Sequence, residues 1–187
     1  LRECARELST PLSYIFTKSM TEAVLPSDWK LTHITPIYKK GRKNLAANYR
    51  PINLASVPAK VMESIVKDEI LAHLLDNDLV RGSQHGFLLR RSCSPNLIDY
   101  LNVVTSAIDK GIAYDVILVD FQKAFDKVPF DGMLAKAKAH GIDGSLLKWL
   151  HDWTKCRRQR VVLNGVESDW TDVLSSVVQG SVLGPIL

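Results

Sequence analysis

An α+β domain is the fold that this 187-residue sequence predicts. Several stretches repeat apolar residues at steps of three and four, and other short stretches are β-branched or run apolar without a break. The two kinds do not follow one another in the regular strand–helix–strand order of a parallel α/β sheet. With 46% hydrophobic and 24% charged residues, the chain can bury a core as one domain or as two packed subdomains. Disorder is not the default for such a composition.

The first helix is marked by Leu8, Leu12, Ile15, Phe16 and Met20, and should stop near Leu25-Pro26, where Pro26 and Ser27 break the pattern. Trp29 to Tyr38 alternates roughly and is β-branched, which predicts a strand. A basic loop, Lys39 to Asn44 (KKGRKN), follows it. From Pro58 to Leu79, the residues Val61, Met62, Ile65, Val66, Ile70, Leu74 and Leu75 predict a long helix with one apolar face. The next helix runs from Ser94 to Lys110, with Ser94 as N-cap, Pro95 in the first turn, and Leu97, Leu101, Val104 and Ile108 along one side. Gly82 to Ser92 is the loop between these helices.

Asp115 to Val119 (DVILV) is almost wholly apolar and predicts a buried strand that ends at Asp120. Leu134 to Trp153 is helical material interrupted near Gly141 to Gly144. Arg160 to Leu163, then Asn164-Gly165, then Val166 to Ser168 predict a hairpin, because a type I′ turn needs positive φ at both central positions.

The formal charge is +4, and its distribution says more than its total. Lys30, Lys39, Lys40, Arg42, Lys43 and Arg50 lie in a stretch without an acidic residue, and Lys155, Arg157, Arg158 and Arg160 form a second group. An anionic partner fits this pattern, and so does a solvated charged surface. Cys4, Cys93 and Cys156 are far apart and odd in number, which argues against a disulfide framework or structural zinc. No apolar run approaches the roughly 20 residues of a membrane span, and neither a signal peptide nor a membrane partner is expected. Leu1 in place of methionine and the apolar run at Leu187 read as cut ends.

Asp120 is the most suggestive single residue, because a carboxylate at the end of a buried strand can hold a divalent cation in a fixed direction. From spacing alone, a solvated carboxylate capping the next helix is the commoner case. Lys39 to Lys43 and the Arg90-Arg91 pair could neutralise phosphates, or could be ordinary surface. Gln179-Gly180-Ser181 could bring backbone close to a ligand, or be a tight turn without one. The four tryptophans, Trp29, Trp149, Trp153 and Trp170, read as core or interface anchors. Spacing alone stops at a basic α+β domain with nucleic acid as a candidate ligand.

The order of five blocks goes further. Asn48 to Leu54 (NYRPINL), Ser83 to Phe87 with Arg91 to Cys93 (SQHGF, RSC), and Val119 to Val128 (VDFQKAFDKV) come first. Gln159 to Gly165 (QRVVLNG) and Gln179 to Pro185 (QGSVLGP) follow. In this order and spacing they resemble the reverse transcriptase domain of non-long-terminal-repeat, LINE-like retrotransposons. Leu25 to Lys30 and Thr35 to Lys40 look most like the jockey-type members. A group II intron maturase shares the fold but fits the wording of the blocks less well.

The resemblance implies a right-hand polymerase architecture. Residues 1–110 would form an amino-terminal extension and fingers, and residues 111–187 a partial palm. It implies an RNA-directed DNA polymerase of a mobile element, using an RNA template, a DNA primer and deoxynucleoside triphosphates. The cofactor would be magnesium, two ions in the complete domain, with manganese as a substitute. Asp120 would be the first metal-binding aspartate, aided by the backbone carbonyl of Phe121, whereas Asp126 is not expected to bind metal. Phe125 would crowd a ribose 2′-hydroxyl, and Gln179 and Gly180 would lie against the nucleotide. Arg50, Lys60 and Arg91 would meet triphosphate or template phosphate, and Lys39, Lys40, Arg42 and Lys43 would meet nucleic acid.

Leu88, Ser176 and Val178 depart from the family pattern, standing where arginine, glycine and proline are usual. The paired aspartates of the family's next block and the thumb would lie beyond Leu187, so the chain alone is expected to be inactive. The competing reading is a non-catalytic remnant that binds nucleic acid or protein. Nuclear location is what target-primed integration would require.

Overall fold

Residues 3–121, 124, 125, 127–175, 177 and 180–187 are described by a computed structural model. Helix α1 (Ala5–Glu22) stops three residues short of Leu25, because Ala23 takes a left-handed conformation and its N–H turns back to the Met20 carbonyl. Strands β1 (Leu31–Tyr38) and β2 (Tyr49–Leu54) pair antiparallel from His33↔Leu54 to Tyr38↔Tyr49. Helix α2 (Val57–Asp76) follows, with proline in its first turn, where a missing N–H costs nothing. Helix α3 is Cys93–Asp109, α4 is Phe130–Ala139 and α5 is Gly144–Thr154. Strand β3 (Arg158–Leu163) then meets the short strands β4 (Val166–Glu167) and β5 (Thr171–Asp172).

β3 lies parallel to β1, from Leu31↔Arg158 to Ile34↔Val161. β4 and β5 pair antiparallel with its two ends. The sheet therefore takes strands from both sides of residue 110, the division expected from the resemblance. Between β3 and β4, Asn164 and Gly165 both have positive φ, 51° and 79°, as a type I′ hairpin demands.

Side chains directly opposite one another share a face. Thr32, Ile34 and Asn53 are accordingly buried on one face of β1–β2, whereas His33 and Arg160 stand on the other. The core joins α2, α4 and α5: Met62, Val66 and Ile70 meet Met133, Ala137, Trp149, Leu150 and Trp153. α1 closes over it through Phe16 and Met20, with the Phe16 ring edge-on to Trp29 at 5.8 Å. Ser19 pins this contact. Its hydroxyl accepts from Trp149 Nε1–H at 3.0 Å and donates to the Val24 carbonyl at 2.6 Å.

Two expectations need correction. Ser94 is not the N-cap of α3; Ser92 holds that position, and Ser94 and Pro95 lie in the first turn, whose N–H groups have no intrahelical partner anyway. The second concerns Asp115 to Val119, which is neither a strand nor buried: Ile117, Leu118 and Val119 are 86%, 88% and 82% exposed. A segment apolar on both faces gains from strand geometry only when neighbours pair its edges and cover its faces. Among the described residues no strand does so.

Candidate functional site

Two of the motif blocks meet where Gly180 approaches Asn53, and the residues just ahead of the Gln179 block are tied to a third. The Val177 amide donates to the Phe125 carbonyl at 2.9 Å, which sets the segment leading into Gly180 against the block that begins at Val119. Phe125 is half-buried and packs on the core. Gly180 has φ +102°, and a Cβ placed there would stand 3.1 Å from the Asn53 carbonyl oxygen of β2. Only glycine permits that backbone and that approach together. The turn is closed by the Ser181 hydroxyl, which accepts from the Gly184 amide at 3.0 Å, while Leu183 is fully buried.

Beneath this turn lies a buried polar group. Glu63 of α2 is 3% exposed, and its two oxygens accept from Trp153 Nε1–H at 2.9 Å and from the Val182 amide at 2.8 Å. Arg157 is also buried; it donates to the Trp153 carbonyl at 3.1 Å and lies over the Trp153 ring at 5.2 Å. Burial pushes the Arg157 guanidinium below its ordinary value, and the nearby Glu63 carboxylate opposes that shift. Neither residue stood out as a site residue in the sequence. The signal was there for Glu63, which falls on the stripe Ala59, Glu63, Val66, Ile70 that α2 turns inward.

The sequence-predicted cations occupy separate elements. Lys39, Lys40, Arg42 and Lys43 are exposed on the loop from β1 to β2. That loop is built rather than loose: Tyr38 Oη donates to the Gly41 carbonyl, Asn48 Nδ2 to Arg42 and Tyr49 Oη to Lys43. Arg50 is exposed on β2, and Lys60 is half-buried in the first turn of α2. Arg91 spends one guanidinium nitrogen on its own loop, donating to the carbonyls of Gly82 and Gln84. His85 in the same loop reaches Asp99 of α3 at 3.2 Å.

Asp120 and Phe121 are exposed at the end of the unpaired apolar segment. A cavity of about 500 Å³ opens beside Phe121, Ala124 and Val128, with Lys127 and Lys136 on its wall. A larger groove of about 710 Å³ lies elsewhere, between α1 and α2; its lining has no charged side chain and includes none of the site candidates. Gln179, Asp126, Ser176 and Val178 lie outside the described residues.

A hard dication takes oxygen ligands, and Asp120 offers them. Two-ion phosphoryl chemistry needs several carboxylates around ions about 4 Å apart. Among the described residues no three His, Cys, Asp or Glu side chains gather in such a group. The described residues therefore do not make a two-ion site by themselves.

On the outer sheet face, Arg160 donates to His33 Nε2 at 3.0 Å, pairs with Glu167, and stacks on Trp170 at 4.6 Å. Trp29, Trp149 and Trp153 are buried anchors, as expected, whereas Trp170 serves this half-exposed cluster.

The chain belongs to the reverse transcriptase (RNA-dependent DNA polymerase) family, whose model matches residues 37–187. Among curated proteins it is similar to the probable RNA-directed DNA polymerase from transposon BS of Drosophila melanogaster, 28% identical over 94% of this chain and 19% of that protein. The RNA-directed DNA polymerase from mobile element jockey of the same organism is 28% identical over the same shares. The probable RNA-directed DNA polymerase from transposon X-element, also of that organism, is 27% identical over 100% of this chain and 21% of its own length. The chain thus spans about a fifth of the length of the curated relatives it matches.

Proposed function

We propose that this chain forms the fingers and part of the palm of a right-hand polymerase that copies RNA into DNA for a mobile element. The observation that carries the reading is the close approach of Gly180 to the Asn53 carbonyl, which sets the motif blocks Gln179 to Pro185 and Asn48 to Leu54 side by side. The family match over residues 37–187 supports it.

In this reading Asp120, with the Phe121 carbonyl, is one ligand set for magnesium, for which manganese can substitute. Phe125 crowds a ribose 2′-hydroxyl, and Gln179 and Gly180 face the incoming deoxynucleoside triphosphate. Arg50, Lys60 and Arg91 meet phosphate, and Lys39, Lys40, Arg42 and Lys43 line the path of the RNA template and DNA primer. Such residues act by positioning and by stabilising charge, which is what phosphoryl transfer requires of a protein. Target-primed integration would place the protein in the nucleus.

In the full-length protein, Asp120→Ala should abolish primer extension on an RNA template while leaving template affinity nearly unchanged. Extension that survives the substitution would refute the role of Asp120. The 187-residue chain by itself should not extend a primer, and magnesium-dependent extension by it would overturn the metal argument.

A second reading, a non-catalytic remnant that binds nucleic acid or protein, is favoured by one observation. The segment through Asp120 is exposed and unpaired. Salt dependence separates the two sources of binding: affinity for an RNA–DNA duplex that falls steeply with salt marks a retained groove, and flat or absent binding marks its loss.

A further inference from the structure

A carboxylate buried among the apolar residues of α2 is costly unless its oxygens are fully engaged. Glu63 meets that condition by joining elements far apart in sequence: Oε1 takes the indole N–H of Trp153 in α5, and Oε2 takes the main-chain N–H of Val182. The second contact matters most. Val182 lies between Gly180, pressed on the Asn53 carbonyl, and Leu183, fully buried in the core. The turn is thus held at Gly180, Val182 and Leu183, and Glu63 supplies the only side-chain acceptor for the Val182 amide among the described residues.

We propose that Glu63 is a positioning residue: through the Val182 amide it sets the depth of the turn that begins at Gly180, and so the fit of a deoxynucleoside triphosphate against that turn. The inference rests on the polymerase reading above for the identity of the ligand. The contact with the turn stands apart from that reading. Glu63 touches neither substrate nor metal in this account, so its loss should weaken nucleotide binding more than it slows the chemical step.

The test is Glu63→Gln, measured in two ways. Glutamine keeps the shape but has one acceptor oxygen for two donors, and its NH2 group must face an N–H. In the 187-residue chain, hydrogen exchange at the Val182 amide should accelerate about tenfold relative to amides of α4, the loss expected when a bond to a charged acceptor is weakened. In the full-length protein, the KM for deoxynucleotide should rise about tenfold while kcat stays within about twofold. Adding Trp153→Phe removes the competing donor and leaves the glutamine oxygen free for Val182, so both effects should shrink.

Unchanged exchange at Val182 in Glu63→Gln would overturn the proposal, and so would a freed turn with an unchanged KM. If Glu63→Gln does not fold, Trp153→Phe alone decides. It leaves the Glu63–Val182 bond in place, so faster exchange at Val182 there would also overturn the proposal. A wild-type protein that extends no primer would sink the polymerase reading, while the exchange experiment would still decide whether Glu63 holds the turn.

Discussion

Replacing Gly180 by alanine should destabilise the chain more than the same change at Gly111, although both glycines have positive φ, +102° and +66°. Gly111 sits in the small left-handed region that L-residues can enter, and nothing lies within 4 Å of a Cβ added there. Its alanine should therefore lose only the conformational term, about 1 kcal/mol. At Gly180 the backbone lies outside that region, and the new Cβ would stand 3.1 Å from the Asn53 carbonyl oxygen. That oxygen belongs to the backbone of a paired strand and cannot swing aside as a side-chain tip can. Adding about 1 kcal/mol for the forced contact to a conformational term of about 1–2 kcal/mol gives roughly 2–3 kcal/mol.

For a chain of this size each kcal/mol moves the melting temperature by about 2–4 °C. Gly111→Ala should thus melt about 2–4 °C below wild type, and Gly180→Ala about 4–12 °C below it. Urea titrations should show the same order in midpoint with an unchanged slope. If Gly180→Ala melted with or above Gly111→Ala, the close approach of the turn to β2 would be refuted.

Two further outcomes follow from the geometry. Ser19→Ala leaves the indole N–H of buried Trp149 without an acceptor and should cost about 1–3 kcal/mol. Trp149→Phe in the same background should add less than it does alone, and a strictly additive pair of denaturation midpoints would deny the coupling. Neutralising Lys39, Lys40, Arg42 and Lys43 together should weaken binding to an RNA–DNA duplex and flatten the dependence of log affinity on log salt by up to about 3.6 units. A slope that does not move would remove this loop from the nucleic-acid path.

Much of the helical fold was legible because local signals coincide with tertiary need. α2 turns Met62, Val66 and Ile70 inward as their spacing predicts, and the Asn164-Gly165 turn adopts the two positive φ values its residues favour. Strand pairing was less legible. No local pattern announces that β1 runs parallel to β3 across most of the chain, since that register is set by contacts distant in sequence. Asp115 to Val119 misled for the same reason: five residues state what a strand would bury, but only neighbouring strands can make it one.

At the candidate site, the motif order pointed to Phe125 and Gly180, and the fold brings their segments together. Glu63 escaped notice because a charge on an apolar stripe looks like an interruption until its two donors are seen. Ser94 was favoured as a cap by residue type, although Ser92 takes the position, two residues nearer the loop.

The parallel pairing of β1 with β3 also bears on how the chain is made. His33 and Arg160 are bonded across 127 residues of sequence, so β1 must wait for its parallel partner until the residues between them have been synthesised. At ordinary rates of synthesis that interval is on the order of ten seconds. During it, only the β1–β2 hairpin and the helices have their local contacts, and the closing of so long a loop adds its own entropic cost. A ribosome that stalls before β3 therefore leaves behind an open sheet edge on β1.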